Sequence, residues 1–352
     1  MIGLKSWIIF LVLIGVTLLL AANWGRLSSH PGARRQAAKP QVSTLKSPQT
    51  LDGLLMLPPT ELNQCDIALM DLLCAQGLPG ADGMNIKSCL ATLDQWAAHV
   101  QAETTRNFHK YRDNPSGFYN SEGYFRMLMM SVVMYEDFGI RYNPNRITLP
   151  GRVDPNDRFF ANALDIFLNG LIEGQKTGTC SSMPVLYIAI GRRLGYPLKL
   201  VTTKAHLFVR WESDAGRFNV EATGKGMNRY DDEHFKQWPF PVSDVEIRTE
   251  GYLKSLTIAE ELAVFLSLRG NCLKEAGRFK EASACYAKAV QLAPASNAYR
   301  ALLADATTPG SPSSAPSNYS QPIQFKETMI PVSTAPPAVV PDPNPLKQAS
   351  GQ

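Results

Sequence analysis

Three residues in this sequence have the types and order of a nucleophilic centre: Cys180, His206 and Glu221. Cys180 lies in Gly178-Thr179-Cys180-Ser181-Ser182-Met183-Pro184, which opens an apolar run. His206 and Glu221 follow on two strand-like segments, HLFVRW at 206–211 and FNVEAT at 218–223. A thiol, a base for its proton and an acid that orients the base can together attack a carbonyl carbon. Pro184 lacks an N–H and is tolerated only in a first helical turn, so a helix is expected to begin near Ser181. Cys180 would then sit at the helix mouth, where unpaired N–H groups favour a thiolate and lower a thiol pKa from about 8.5 to roughly 3.5–7.5. The VLYIAI run is apolar all round, which predicts a buried helix, with Gly195 as its carboxy-terminal cap.

Alternation along 206–211 puts His206, Phe208 and Arg210 on one face of a strand. A hairpin turn at Asp214-Ala215-Gly216-Arg217 returns the chain antiparallel. Asn219 and Glu221 share a face of the second strand, which brings Glu221 towards His206. Asn219 is the substitute for the third role. The four other histidines, His30, His99, His109 and His234, fall in polar or charged surroundings and read as solvated or structural.

Several elements must position these residues. Residues 1–24 hold an apolar run, WIIFLVLIGVTLLLAA at 7–22, flanked by Lys5 and Trp24. It reads as an uncleaved membrane anchor, with a cleaved signal peptide as competitor. Counted strictly, the basic far flank keeps the body in the cytoplasm. A short basic amino end before such a run favours export, and an extracytoplasmic body is the expectation. Residues 25–58 are rich in Ser, Pro, Gln and Ala and read as a flexible linker. Residues 59–157 read as a helical region, with helices over 61–76, 86 to about 105 and 122–138, then a Pro-rich loop over 142–157. The core spans 158–256, with a helical pattern at 159–171 before the Cys180 helix. Residues 257–305 carry two helices split by Gly277. Leu266, Gly270, Leu273, Gly277, Ala282, Tyr286, Ala289 and Pro294 match one 34-residue tetratricopeptide repeat. Residues 306–352 are Pro- and Ser-rich and are expected to be disordered.

The chain has 352 residues, 45% of them hydrophobic, and a net charge of +4 without a dense basic run, which argues against a nucleic-acid partner. Six cysteines are too few for a disulfide scaffold, and there is no Cys-x-x-Cys or His-x-x-x-His pair, so no metal and no cofactor are expected.

The stretches GTCSSMPVLYIAIGRRLGYPLKLV, HLFVRW and FNVEATGKG resemble the core of transglutaminase-like proteins. The resemblance covers about 159–227. It is closest to a bacterial branch that joins a helical amino-terminal region, a thiol core and carboxy-terminal tetratricopeptide helices. It implies an α+β fold with a papain/transglutaminase-like core, a Cys-bearing helix packed on a small antiparallel sheet. Cys180 would be the nucleophile, His206 the base and Glu221 the third member, where the family usually has Asp. Gln175 is a candidate oxyanion donor by analogy with related thiol folds. The implied activity is acyl transfer on amide bonds of a protein or peptide, by hydrolysis, deamidation or cross-linking. The alternative is a catalytically inactive fold that binds a peptide or protein partner with its tetratricopeptide helices. A cytosolic scaffold is the third reading.

Overall fold

Helix-forming periodicity and turn chemistry account for most of the architecture. A computed structural model describes residues 47–147 and 158–307, which form an α+β molecule within one compact unit. The first helices are α1 (Leu51–Leu55), α2 (Pro59–Leu62), α3 (Ile67–Ala75), α4 (Ile86–Asp113) and α5 (Glu122–Glu136). The linker expected to run to residue 58 thus contains a helix, because Thr50 caps it and Leu54 is buried. The single helix expected over 61–76 is two, since Asp66 turns its carboxylate to the Ala68 N–H and starts α3 afresh. Every residue of α3 is buried. Polar α4 runs past residue 105 and stops where Asn114 precedes Pro115, a residue pair that disfavours helix.

The core begins with a two-residue parallel ladder between β1 (Arg141–Tyr142) and β2 (Thr177–Gly178), which sets Tyr142 beside Gly178. Between them, α6 (Ala163–Ile166) and α7 (Asn169–Ile172) replace the one helix expected at 159–171. Phe167 is extended and ends α6. Next comes α8 (Met183–Arg193), whose residues from Met183 to Gly191 are all buried. Gly195, at φ 75°, closes it: Tyr196 N–H donates to the Gly191 carbonyl and Gly195 N–H to Arg192. That paired arrangement is a Schellman motif. Strands β3 (Leu198–Thr203), β4 (His206–Ser213) and β5 (Gly216–Val220) form an antiparallel sheet in the order β3-β4-β5, and α8 packs against it.

Two short helices, α9 (Asp232–Gln237) and α10 (Asp244–Glu250), lead to α11 (Ile258–Glu275), α12 (Phe279–Leu292) and α13 (Asn297–Thr307). The third of these was not expected. At Gly270 an added Cβ would lie 2.4 Å from the Tyr286 ring, so only glycine lets α11 and α12 approach this closely. These helices are tied to the core by buried polar contacts. Arg192 of α8 grips Glu261 at 2.5 and 2.9 Å, and Arg269 donates to the Cys74 and Gln76 carbonyls, both at 2.7 Å.

The expected membrane anchor, and with it the membrane partner and the extracytoplasmic placement, is corrected. No helix among the described residues is long and apolar enough to cross a membrane. The longest, α4, carries charge along its length, and α11 holds Glu260, Glu261, Arg269 and Lys274. The 7–22 run lies outside the described residues, as do 308–352 of the expected disordered tail. All six cysteines are free thiols.

Candidate active site

The loop before α8 is wound by its own hydroxyl groups. Thr179 Oγ1 donates to the Asp165 carbonyl at 2.6 Å, and Ser182 Oγ accepts from the Thr179 N–H at 3.1 Å. The Thr179 carbonyl in turn accepts from Ser182 and Met183. This closed turn delays the helix to Met183, so Cys180 lies three residues ahead of it, not at its first turn. The expected drop in the thiol pKa is therefore corrected. Burial pushes Cys180 up to about 12, and the Glu221 carboxylate adds to the rise; the Ser181 side chain and the cysteine's own N–H only partly oppose it.

Cys180 and His206 line one cavity of about 40 Å³, and Tyr142, Ser181 and Ala205 share it. His206 begins β4 directly after Ala205, which holds a left-handed φ of 59°. That conformation is uncommon for a residue with a Cβ. It completes the tight turn from β3 in which Thr203 faces His206. The imidazole is fully buried. Its Nε2 lies 2.6 Å from Glu221 Oε2, and its Nδ1 is buried with no protein partner. An ionised Glu221 accepts from Nε2–H, which leaves Nδ1 as the basic nitrogen.

Glu221 follows the last residue of β5 and bridges to Asn228. Its Oε1 accepts from the Thr223 N–H at 2.8 Å and the Thr223 hydroxyl at 2.5 Å. Burial pushes the carboxyl up, but His206 and the Thr223 donors outweigh it and hold Glu221 below the usual carboxylate range. The extra methylene of Glu relative to Asp is taken up by this reach.

The expected substitute, Asn219, is not brought to His206. It accepts from Arg210 Nε at 2.8 Å and donates to Asp232 at 2.7 Å. Gln175 is exposed on the loop before β2 and is not among the cavity-lining residues. Four contributors were missed. Thr223 holds the acid. Tyr142 joins the cavity through the β1–β2 ladder. The Trp238 ring packs edge-on to His206, centroids 4.6 Å apart, and covers it. Arg210, itself buried, binds Asp232 at 2.6 Å and anchors α9, whose Phe235 stacks on Phe208 at 3.8 Å. Of these, only Thr223 had a local signal, as a hydroxyl two residues after an acid. Among the described residues no group of three His, Cys, Asp or Glu side chains could hold a metal ion.

No protein-family model matches this chain, and neither a curated protein nor a solved structure is significantly similar to it.

Proposed function

We propose that this chain is a transglutaminase-like thiol acyl transferase, with Cys180 as nucleophile, His206 as base and Glu221 as the group that orients and supports the imidazole. One observation carries the reading: an imidazole tied to a carboxylate through Nε2, with Nδ1 unpartnered, lining the same cavity as a thiol. Because burial favours the neutral thiol, the sulfur enters the reaction protonated. The thiol proton passes to Nδ1 as sulfur attacks the amide carbon. The protonated imidazole is then stabilised by Glu221 and gives the proton to the leaving amine, leaving a thioester. Water releases an acid; an amine gives a new amide. The Cys180 N–H, which already faces the sulfur, is the donor we assign to the developing oxyanion. Packing of α8 on the three-stranded sheet supports a papain/transglutaminase-like core, and the close α11–α12 pair supports the tetratricopeptide reading.

The raised thiol pKa favours the second reading, an inactive fold that binds a peptide. Carboxamidomethylation by iodoacetamide near neutral pH, mapped by mass spectrometry, separates the two. Cys180 should label faster than buried Cys74, Cys89 and Cys272, and His206→Ala should remove that advantage. Equal, slow labelling of all four would favour the binding module.

A further inference from the structure

The cavity at Cys180 is not enclosed by the core alone. Val264 and Leu268 of α11 and Tyr299 of α13 also line it. These positions lie far along the chain from Cys180, in the region 257–305 that carries the tetratricopeptide pattern. We infer that Val264, Leu268 and Tyr299 are specificity-determining residues, which admit to Cys180 only a slim, uncharged acyl chain. The inference rests on Cys180 being the nucleophile.

Size and charge both point this way. A single water needs on the order of 10–15 Å³ of such space, so a cavity of about 40 Å³ holds only a few atoms. Among the described residues no Asp, Glu or Lys lines it. Arg146, which lines it, is committed to Asp165 through Nε at 3.0 Å and Nη2 at 2.7 Å. Apart from Arg146 and His206, both already paired with carboxylates, the described lining offers a charged chain no counter-ion for the water it would lose. Val264, Leu268 and Tyr299 are each more than nine-tenths buried, so they are packed in place.

The wall is also anchored. Ser267 Oγ donates to the Val264 carbonyl at 2.8 Å, inside α11. The Arg192–Glu261 pair fixes α11 to the Cys180 helix. Glu250 of α10 accepts from Ser296 Oγ at 3.0 Å and from the Ala298 N–H at 2.8 Å, which pins the start of α13 next to Tyr299. A wall held this way discriminates by shape, because a bulky chain cannot displace it cheaply.

The test uses the full chain, Leu268→Ala to widen the cavity and Val264→Ile to narrow it, each checked for folding by circular dichroism. Cys180 alkylation is followed by mass spectrometry with iodoacetamide, N-benzyl iodoacetamide and iodoacetate, each rate divided by that of a free cysteine. The wild type should favour iodoacetamide over both other probes. Leu268→Ala should raise the benzyl-to-iodoacetamide ratio about ten-fold and leave iodoacetate excluded. Val264→Ile should lower the benzyl ratio further. Fast alkylation of Cys180 with ratios unchanged in the folded variants overturns the wall and leaves the nucleophile standing. Alkylation of Cys180 no faster than that of Cys74 by any probe overturns the nucleophile itself. Should Leu268→Ala fail to fold, Val264→Ile decides the question.

Discussion

Two buried carboxylates in this molecule behave in opposite ways. Glu221 and Asp71 are both almost without solvent exposure. Glu221 is surrounded by donors: His206 on one oxygen and two groups of Thr223 on the other. Its pKa is held low despite burial. Asp71, inside α3, accepts only the Leu168 N–H at 2.8 Å, and its Oδ2 has no partner. Burial pushes it up to about 8. The same functional group is thus kept ionised in one place and kept protonated in the other. What separates them is the imidazole and the donors that face the carboxylate, not the depth. An acid that must support a protonated imidazole needs the first environment; an acid that only tethers a loop tolerates the second.

The comparison can be broken most forcefully at Glu221. Glu221→Ala leaves the imidazole Nε2 and the Thr223 donors buried and unpaired, and should cost up to about 5 kcal/mol in urea unfolding. A loss below about 1 kcal/mol would mean that water replaces the carboxylate without penalty. Asp71 should reveal itself through pH. Its folded pKa lies above its unfolded value, so its contribution is present at low pH and is lost as pH rises towards 8. Between pH 5 and 7 the wild type should lose about 3 kcal/mol relative to Asp71→Asn, near 1.4 for each unit. Glu221 has the opposite sign: its contribution is present above the ordinary carboxylate pKa and fades as pH falls through its lowered one. A flat difference curve for Asp71→Asn would end the contrast.

Smaller changes sharpen it. Thr223→Val removes the hydroxyl donor to Glu221 and keeps the N–H, with an expected loss of about 2 kcal/mol, since one bond to a charged group is at stake. The midpoint of acid unfolding should move up in that variant. Ala205→Gly relieves the left-handed turn before His206 and should stabilise the fold by about 1 kcal/mol in thermal melts. No gain there would show that the turn carries no strain.

Legibility followed the range of each interaction. Strands β4 and β5 were readable from alternation and a turn, and α8 from its apolar run and Gly195. His206 and Glu221 lie just beyond the end of the β4–β5 ladder, on the face that alternation assigns them, and this brings them within reach. The start of α8 was misread because Thr179, Ser182 and the distant Asp165 carbonyl build a turn that no propensity encodes. Asn219 looked as suitable as Glu221 by face alone; Arg210 and Asp232, neither adjacent to it in sequence, claim it instead. Gln175 lay at a plausible spacing, yet the loop turns it to solvent. The split of 61–76 depended on one capping aspartate, and α13 on contacts with α10 and α12.

The sequence by itself determined the longer amphipathic and apolar helices and the β4–β5 hairpin, and that a thiol, an imidazole and an acid fall in one order along the chain. Those outcomes depend on neighbours within a few residues. Only the tertiary structure decided the protonation states, the partner of the imidazole and the wall of the cavity. Each of these is set by burial and by donors from far along the chain, and solvation is a property of the folded surface and not of any segment within it.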